Sequence, residues 1–374
     1  MRVLFAGGGT AGHINPALAI AGYLHEREPD AQILYIGAKG GMEERLVPAA
    51  GFDFKSITIS GFQRKLSWKN LKRNVKTVVH VFTSTKESRS ILREFKPDIC
   101  VGTGGYVAGP VIREAMKLGI PCVIHEQNAF PGVTNKMLSK HANRTMLAVE
   151  DAKKYLEASA NCVLTGNPIR PAVLRAQHAA ARKSLGLDER PVILSFGGSL
   201  GARTINEAMA ELLVQSAKSG RFQHIHGYGQ WGKWLPDLLK QKGYDPQKHH
   251  NLDIREYIDN MPECLAAADL VICRAGAITL SELQAQGKAS ILIPSPNVAE
   301  NHQYHNAMAL VSRDAAVMIE EKDLTGAVLC AKVDELFADR DTVTKLGANA
   351  RKMGITDANE RIYQVMKDVL SESK

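Results

Sequence analysis

Directly behind the apolar segment Val3–Ala6 comes the run Gly7-Gly8-Gly9-Thr10-Ala11-Gly12-His13, and a helical pattern follows it. Asn15 reads as the N-cap of that helix and Pro16 as its first residue. Bare backbone N–H groups, a helix N-terminus and one imidazole thus share a loop at the carboxyl end of a strand. Phosphate groups bind at such loops. His13 can take a proton from an incoming hydroxyl or bind its phosphate, since imidazole titrates near neutrality; as a structural residue it would bond to backbone at the helix entry. A second loop, Gly197–Gly201, adds the Ser199 hydroxyl to its N–H donors, and a third cluster runs from Gly102 to Tyr106. One such loop is as well explained by a tight strand-to-helix turn. Three at three strand ends argue for a phosphate-bearing ligand.

Other polar residues stand at similar places. The segment Arg274–Glu282 (RAGAITLSE) follows an apolar strand and enters a helix, with Glu282 in the second turn, where a carboxylate can accept both hydroxyls of a ribose. In isolation the same glutamate would be a solvated helix residue. Asn301-His302-Gln303 suits sugar hydroxyls or a plain polar loop, and His125-Glu126-Gln127-Asn128 closes another strand, bringing Glu126 or Asn128 to the mouth that holds His13. His224 and His226 share one strand face with no third ligand near, so no metal is expected there. Gly7, Gly9 and Gly12 also fit the dinucleotide fingerprint G-x-G-x-x-G, which wants an acid at the end of the second strand. Here Gln32–Ile36 ends in Gly37-Ala38-Lys39-Gly40-Gly41, and the dehydrogenase reading is set aside.

The elements that must hold these loops alternate along the chain. Strand-like runs stand at Val3–Ala6, Gln32–Ile36, Asp98–Val101, Cys122–His125, Thr145–Ala148 and Cys162–Thr165, with helical patterns between them. After the proline-bearing stretch Gly166–Pro171 the pattern restarts at Val192–Phe196, with a helix from about Ala202 and strands at Phe222–His226, Leu252–Arg255, Leu270–Cys273, Ser290–Ile293 and Ala316–Ile319. This is an α/β chain of two Rossmann-like, doubly wound domains with a ligand cleft expected between them. The expected boundaries are 1–165, completed by a C-terminal helix within 356–374, and 166–355. A chain of 374 residues agrees with two cores.

Composition narrows the class. No stretch approaches the roughly 18 to 20 apolar residues of a membrane span, and the chain opens on a strand instead of a signal peptide, so a cytoplasmic protein is expected. Six cysteines are scattered without a C-x-x-C pair and read as reduced core residues. The formal charge of +8 is uneven: residues 1–160 hold 22 Lys and Arg against 14 Asp and Glu, and residues 161–374 hold 25 against 25. Arg64–Arg93 alone carries nine basic residues and one acid, Glu87. Such a face meets an anionic partner or is a solvated surface.

Taken in order, GGGTAGH, GTGGY, HEQN, GNPIR, GGSLGAR, RAGAITLSE and ENHQ resemble the MurG family of peptidoglycan glycosyltransferases over nearly the whole chain. The resemblance implies the GT-B fold and an inverting transfer of N-acetylglucosamine from UDP-N-acetylglucosamine to the 4-hydroxyl of the N-acetylmuramoyl unit of lipid I, forming lipid II. It implies a donor site of Arg170, Ser199, Ile258, Ala277, Glu282, His302 and Gln303. Some relatives have Gln where His302 stands. The acceptor diphosphate falls to Gly8, Gly9, Thr10, Gly12, His13 and Asn128, and the general base to His13 with Glu126 as second candidate. No cofactor and no obligatory metal are implied, and nucleic acid is not a partner. Implied partners are an anionic membrane surface, at the cytoplasmic face of which the protein would sit peripherally, and other cell-wall synthesis proteins. A diacylglycerol-dependent glycolipid synthase and a UDP-sugar epimerase are the alternatives on the same scaffold.

Trp68, Leu71, Val75, Val78, Val79 and Phe82 recur at helical spacing, with Lys69, Lys72, Arg73 and Lys76 alongside them. An amphipathic helix packed on a sheet has the same apolar stripe; the neighbouring cations favour an interfacial helix. Each cation near an anionic surface contributes about 1 kcal/mol. Changing those four residues to Gln is expected to release the protein from anionic vesicles while sparing transfer to a short-chain soluble acceptor. Equal co-sedimentation of wild type and variant at low salt would make this segment a solvated face.

Overall fold

The computed structural model describes residues 1–60, 68–245 and 249–373, leaving aside the side chains of 68–79, 81, 82 and 340. The apolar stripe and the four cations from Trp68 to Phe82 therefore lie outside the described side chains. Two compact units result, one of Met1–Pro168 with Asp357–Lys374 and the other of Ile169–Thr356.

In the first unit seven strands form one parallel sheet: β1 (Arg2–Gly7), β2 (Gln32–Ala38), β3 (Asp53–Ile57), β4 (Ile99–Gly104), β5 (Cys122–Glu126), β6 (Arg144–Leu147) and β7 (Cys162–Leu164). Their order is β3-β2-β1-β4-β5-β6-β7. Alternate residues of β1 enter opposite cores, Val3 and Phe5 on one face and Leu4 and Ala6 on the other. Strands covered on both faces read as unbroken apolar runs, which made them visible in the sequence. β3 gave no such signal, because DFKSI pairs only with β2 at the sheet edge.

Six strands build the sheet of the second unit: β8 (Val192–Phe196), β9 (Gln223–Gly227), β10 (Leu252–Arg255), β11 (Leu270–Cys273), β12 (Ala289–Leu292) and β13 (Val317–Met318), in the order β10-β9-β8-β11-β12-β13. Both sheets share one logic: the chain winds outward from the opening strand, returns, and winds out the other way. The reversal falls between β1 and β4 and between β8 and β11, where successive connections diverge and a crevice opens at the carboxyl ends.

Two local expectations are corrected. The first helix begins at Ala11 with Thr10 as N-cap, so Asn15 does not cap it and Pro16 lies inside it. The Thr10 carbonyl already accepts from His13 and Ile14 N–H at 3.1 and 3.2 Å, so the first turn is closed before Pro16, which lacks only the N–H owed to the Gly12 carbonyl. β4 runs on to Gly104 instead of stopping at Val101, since Gly102 adds no side chain between Ile112 and Ile124. The C-terminal helix Ala358–Glu372 lays Ile362, Val365, Met366 and Val369 into the core beside Val3, Phe5 and Ile20. Burying four such side chains contributes about 1.5 to 3 kcal/mol each.

β9 carries two fully buried imidazoles on one face: His224 shares a 2.7 Å hydrogen bond with Ser216 Oγ, and His226 Nδ1 lies 2.8 Å from Ser195 Oγ. All six cysteines are free. Burial, with a smaller contribution from the neighbouring His226, pushes His224 down to about 3, and burial brings His226 to about 4. Both are neutral in the folded protein above those values, whereas in the unfolded chain they take up protons near pH 6.5. Stability present above pH 6.5 is therefore lost as pH falls toward 4. Calorimetry should show the melting temperature dropping across this window, and His224→Gln or His226→Gln should each flatten the dependence by up to about 1.4 kcal/mol per pH unit. An unchanged slope in both variants would place the acid sensitivity elsewhere.

Candidate functional site

In the first unit the bulge between Ala6 and Gly7 brings Gly7 opposite Gly104, so the first and third glycine-rich runs meet at the switch point of the sheet. Gly105 has φ +75°, and a Cβ there would come within 2.1 Å of the Gly8 carbonyl; only glycine lets the runs approach this closely. His13 occupies the first turn of Ala11–Arg27. Its Nδ1 lies 3.1 Å from the Thr103 carbonyl and 3.3 Å from Gln127 Oε1. Both partners are acceptors, so Nδ1 carries a proton, and in the neutral ring the lone pair is on Nε2. Thr103 Oγ1 in turn donates to the His13 carbonyl at 2.8 Å.

Behind this pair lies a continuous polar network. The buried amide of Gln127 reaches the Thr103 carbonyl at 3.1 Å and His125 Nδ1 at 3.0 Å, while His125 Nε2–H donates to the Gly166 carbonyl at 2.9 Å. Burial holds His125 below the usual imidazole value, in keeping with its neutral form. Glu126, 1% exposed, accepts four hydrogen bonds. Oε1 takes the Asn128 backbone and side-chain amides at 3.0 and 3.1 Å, and Oε2 takes Gly132 N–H at 3.1 Å and Asn135 Nδ2 at 2.9 Å. Gly8, Gly9, Thr10 and Gly12 belong to the same run as His13, and Asn128 is held in its own loop by Glu126. Glu43, fully buried, accepts from Ala38 N–H at 2.8 Å and backs the loop at Gly8.

In the second unit β8 turns at Gly197–Gly201 into the helix Arg203–Ser219. Gly201 has φ +84° and sits where a Cβ would meet the Tyr228 carbonyl at 2.2 Å, closing that loop on the one after β9. A cavity opens beside these two loops. Arg170, Ser199, Ile258 and Glu282 line it, with Phe196, Gly227 and Thr279. Glu282 lies in the second turn of Ala277–Gln286 and is 6% exposed. Its Oε1 accepts from Arg170 Nε at 2.7 Å and Oε2 from Nη2 at 3.0 Å. That side-chain bond raises the Arg170 guanidinium above its ordinary value.

Three sequence candidates fall outside this lining. Ala277 opens the helix that carries Glu282, His302 Nδ1 lies 2.8 Å from the Ala299 carbonyl, and Gln303 Oε1 accepts from Ser295 N–H at 2.9 Å. Gln303 thereby fixes the loop after β12, which Arg274 also holds through the Ile293 carbonyl at 3.2 Å. Sequence reading passed over Thr103, Gln127 and Thr279 although they stood inside quoted motifs. Asn135 and Glu43 had no motif around them; their roles come from partners distant in the chain or across a loop. Among the described residues no group of three His, Cys, Asp or Glu is placed to hold a metal ion.

Residues 3–147 match the glycosyltransferase family 28 N-terminal domain, and residues 192–362 the glycosyltransferase family 28 C-terminal domain. A curated relative from Acetivibrio thermocellus is named UDP-N-acetylglucosamine--N-acetylmuramyl-(pentapeptide) pyrophosphoryl-undecaprenol N-acetylglucosamine transferase. It is 46% identical over 371 residues, which cover 99% of this chain and 98% of the relative. A relative from Bacillus cereus with the same name, numbered 1, is 44% identical over 374 residues, covering all of both chains. Among solved structures, MurG of Acinetobacter baumannii superposes with a TM-score of 0.78 at 29% identity, over 98% of this chain and 99% of that one. The UDP-GlcNAc 2-epimerase of Neisseria meningitidis, at 14% identity, TM-score 0.66 and coverage of 98% and 100%, shares the fold alone.

Proposed function

This chain belongs to glycosyltransferase family 28, and from that premise we propose how its residues divide the work of an inverting transfer. The reaction moves N-acetylglucosamine from UDP-N-acetylglucosamine to lipid I and yields lipid II. The observation that carries the assignment of the donor site is the cavity in which Arg170, Ser199, Ile258 and Glu282 converge at the carboxyl end of the second sheet. The Ile258 backbone would face uracil, Glu282 the ribose diol, and Ser199 with the glycine loop and Arg170 the diphosphate. Ala277, His302 and Gln303 are assigned to the sugar.

The first unit would take the acceptor, its diphosphate on the N–H groups of Gly8, Gly9, Thr10 and Gly12 with Asn128 beside them. His13 is the proposed base: with Nδ1–H committed to a carbonyl, Nε2 receives the proton of the 4-hydroxyl as its oxygen bonds to the anomeric carbon. The bond to UDP breaks in the same displacement, its electron pair passing to a β-phosphate oxygen, and the configuration inverts to β. Charge on departing UDP is met by Arg170 and by helix-terminal N–H groups, with no step assigned to a metal or cofactor. Glu126 is the weaker candidate for the base, because four donors already engage its two oxygens. Its chemistry suits holding Asn128.

No helix among the described residues is long and apolar enough to cross a membrane. The basic surplus of the first half and a lipid-tailed acceptor support a peripheral site at the cytoplasmic face of the cell membrane. Labelled UDP-N-acetylglucosamine offered with lipid I or with diacylglycerol tests the whole reading; label in the diacylglycerol fraction alone would overturn it.

The two assignments separate by mutation. Glu282→Ala should weaken UDP by about 1.5 to 3 kcal/mol, roughly 10- to 150-fold in calorimetry, because a bidentate acceptor is lost. Unchanged affinity would remove Glu282 from the site. His13→Ala should lower turnover on the order of 100-fold or more while UDP affinity stays nearly intact; near-normal turnover at saturating acceptor would pass the role of base to Glu126 or solvent.

A further inference from the structure

The carboxylate assigned to the ribose is already engaged. Arg170 presents Nε and Nη2 to the two oxygens of Glu282 at 2.7 and 3.0 Å, the fork-to-fork geometry in which a planar guanidinium matches a carboxylate. A ribose diol offers the same pattern, two donors side by side, one for each oxygen. Both would approach Glu282 along the same edge.

The two partners differ in freedom. Glu282 stands in the middle of a helix with its side chain 8% exposed, whereas the Arg170 side chain is 52% exposed and extends on a long stem from a backbone anchored by its carbonyl to Val173 N–H at 2.9 Å. Ser199 and Gly198 of the glycine loop line the same cavity as the pair. If one group moves, it is the guanidinium, and the loop suited to a diphosphate borders that cavity.

We propose that Arg170 and Glu282 work as an ion-pair exchange, in which a nucleoside diphosphate takes Glu282 for its ribose and returns its own phosphates to Arg170. This rests on the donor-site reading above and adds a selectivity that separate contacts do not supply. A nucleoside without phosphates must part Arg170 from Glu282 and leaves the guanidinium without an anion. A nucleoside diphosphate replaces the carboxylate with a stronger one.

The exchange predicts effects of opposite sign from one substitution. In Arg170→Met the carboxylate is released, so uridine should bind about three- to tenfold more tightly than to wild type, while UDP, deprived of its cation, should bind at least about tenfold more weakly. Titration calorimetry with uridine, UMP and UDP on the full-length wild type and variant reads both. Arg170→Lys keeps the charge but loses the fork, and its uridine affinity should fall between the two. Thermal melts check the fold, and where Arg170→Met does not fold the decision passes to Arg170→Lys. Uridine affinity that is unchanged or weaker in the folded variant would overturn the exchange, because it would mean that Arg170 holds Glu282 in place for the ribose. Failure of wild type to bind UDP would overturn the donor-site reading itself, an outcome distinct from the first.

Discussion

A parallel sheet wound in two directions has one place where neighbouring connections part, and both units of this protein put their chemistry there. Between β1 and β4, and again between β8 and β11, strands end side by side while the chain leaves toward opposite flanks. The loops at these points must turn tightly into helices, so they are glycine-rich, and the helices that follow aim unpaired N–H groups outward. Everything proposed for the ligands depends on that geometry. Apolar strands such as Val3–Ala6 and Val192–Phe196 serve chiefly to hold the loops at fixed height above the packed cores.

The two switch points are furnished differently. In the first, polar groups are buried and bonded one to the next, from Gly166 through His125 and Gln127 to Thr103 and His13, and each carbonyl at the end of a link fixes a tautomer. A network of this kind is costly if any member is unpaired, and it specifies one arrangement when all are satisfied. His13 is thereby oriented by residues up to 114 positions away. In the second, the central feature is a single ion pair half open to solvent, Arg170 with Glu282, which suits a site whose occupant brings its own charge.

Charge is divided in the same spirit. The formal excess of +8 lies wholly in residues 1–160, while the remainder is balanced at 25 against 25. One cation of the basic run, Arg89, has structural work: with Lys117 it flanks the buried Glu114, each at 2.7 Å. A count of cations therefore overstates what is free to meet an anionic surface.

How much could be read in advance follows from the range of each signal. Strand and helix alternation, the restart after Gly166–Pro171 and the ordered glycine loops are local patterns, set by periods of two and 3.6 residues and by the backbone freedom of glycine, so sequence alone determined the fold class and the types of residue at each loop. It misjudged the start of the first helix, because Thr10 closes the turn before Pro16 can set it, and it missed the edge strand Asp53–Ile57, which has one neighbour and no apolar run. Only tertiary structure decided that Arg170 grips Glu282 across 112 positions, that Glu126 is saturated by four donors, that His13 keeps Nε2 free, and that His302 and Gln303 bond to their own loop. Such facts depend on which groups distant in the chain are brought within about 3 Å, and no spacing along the chain encodes that distance.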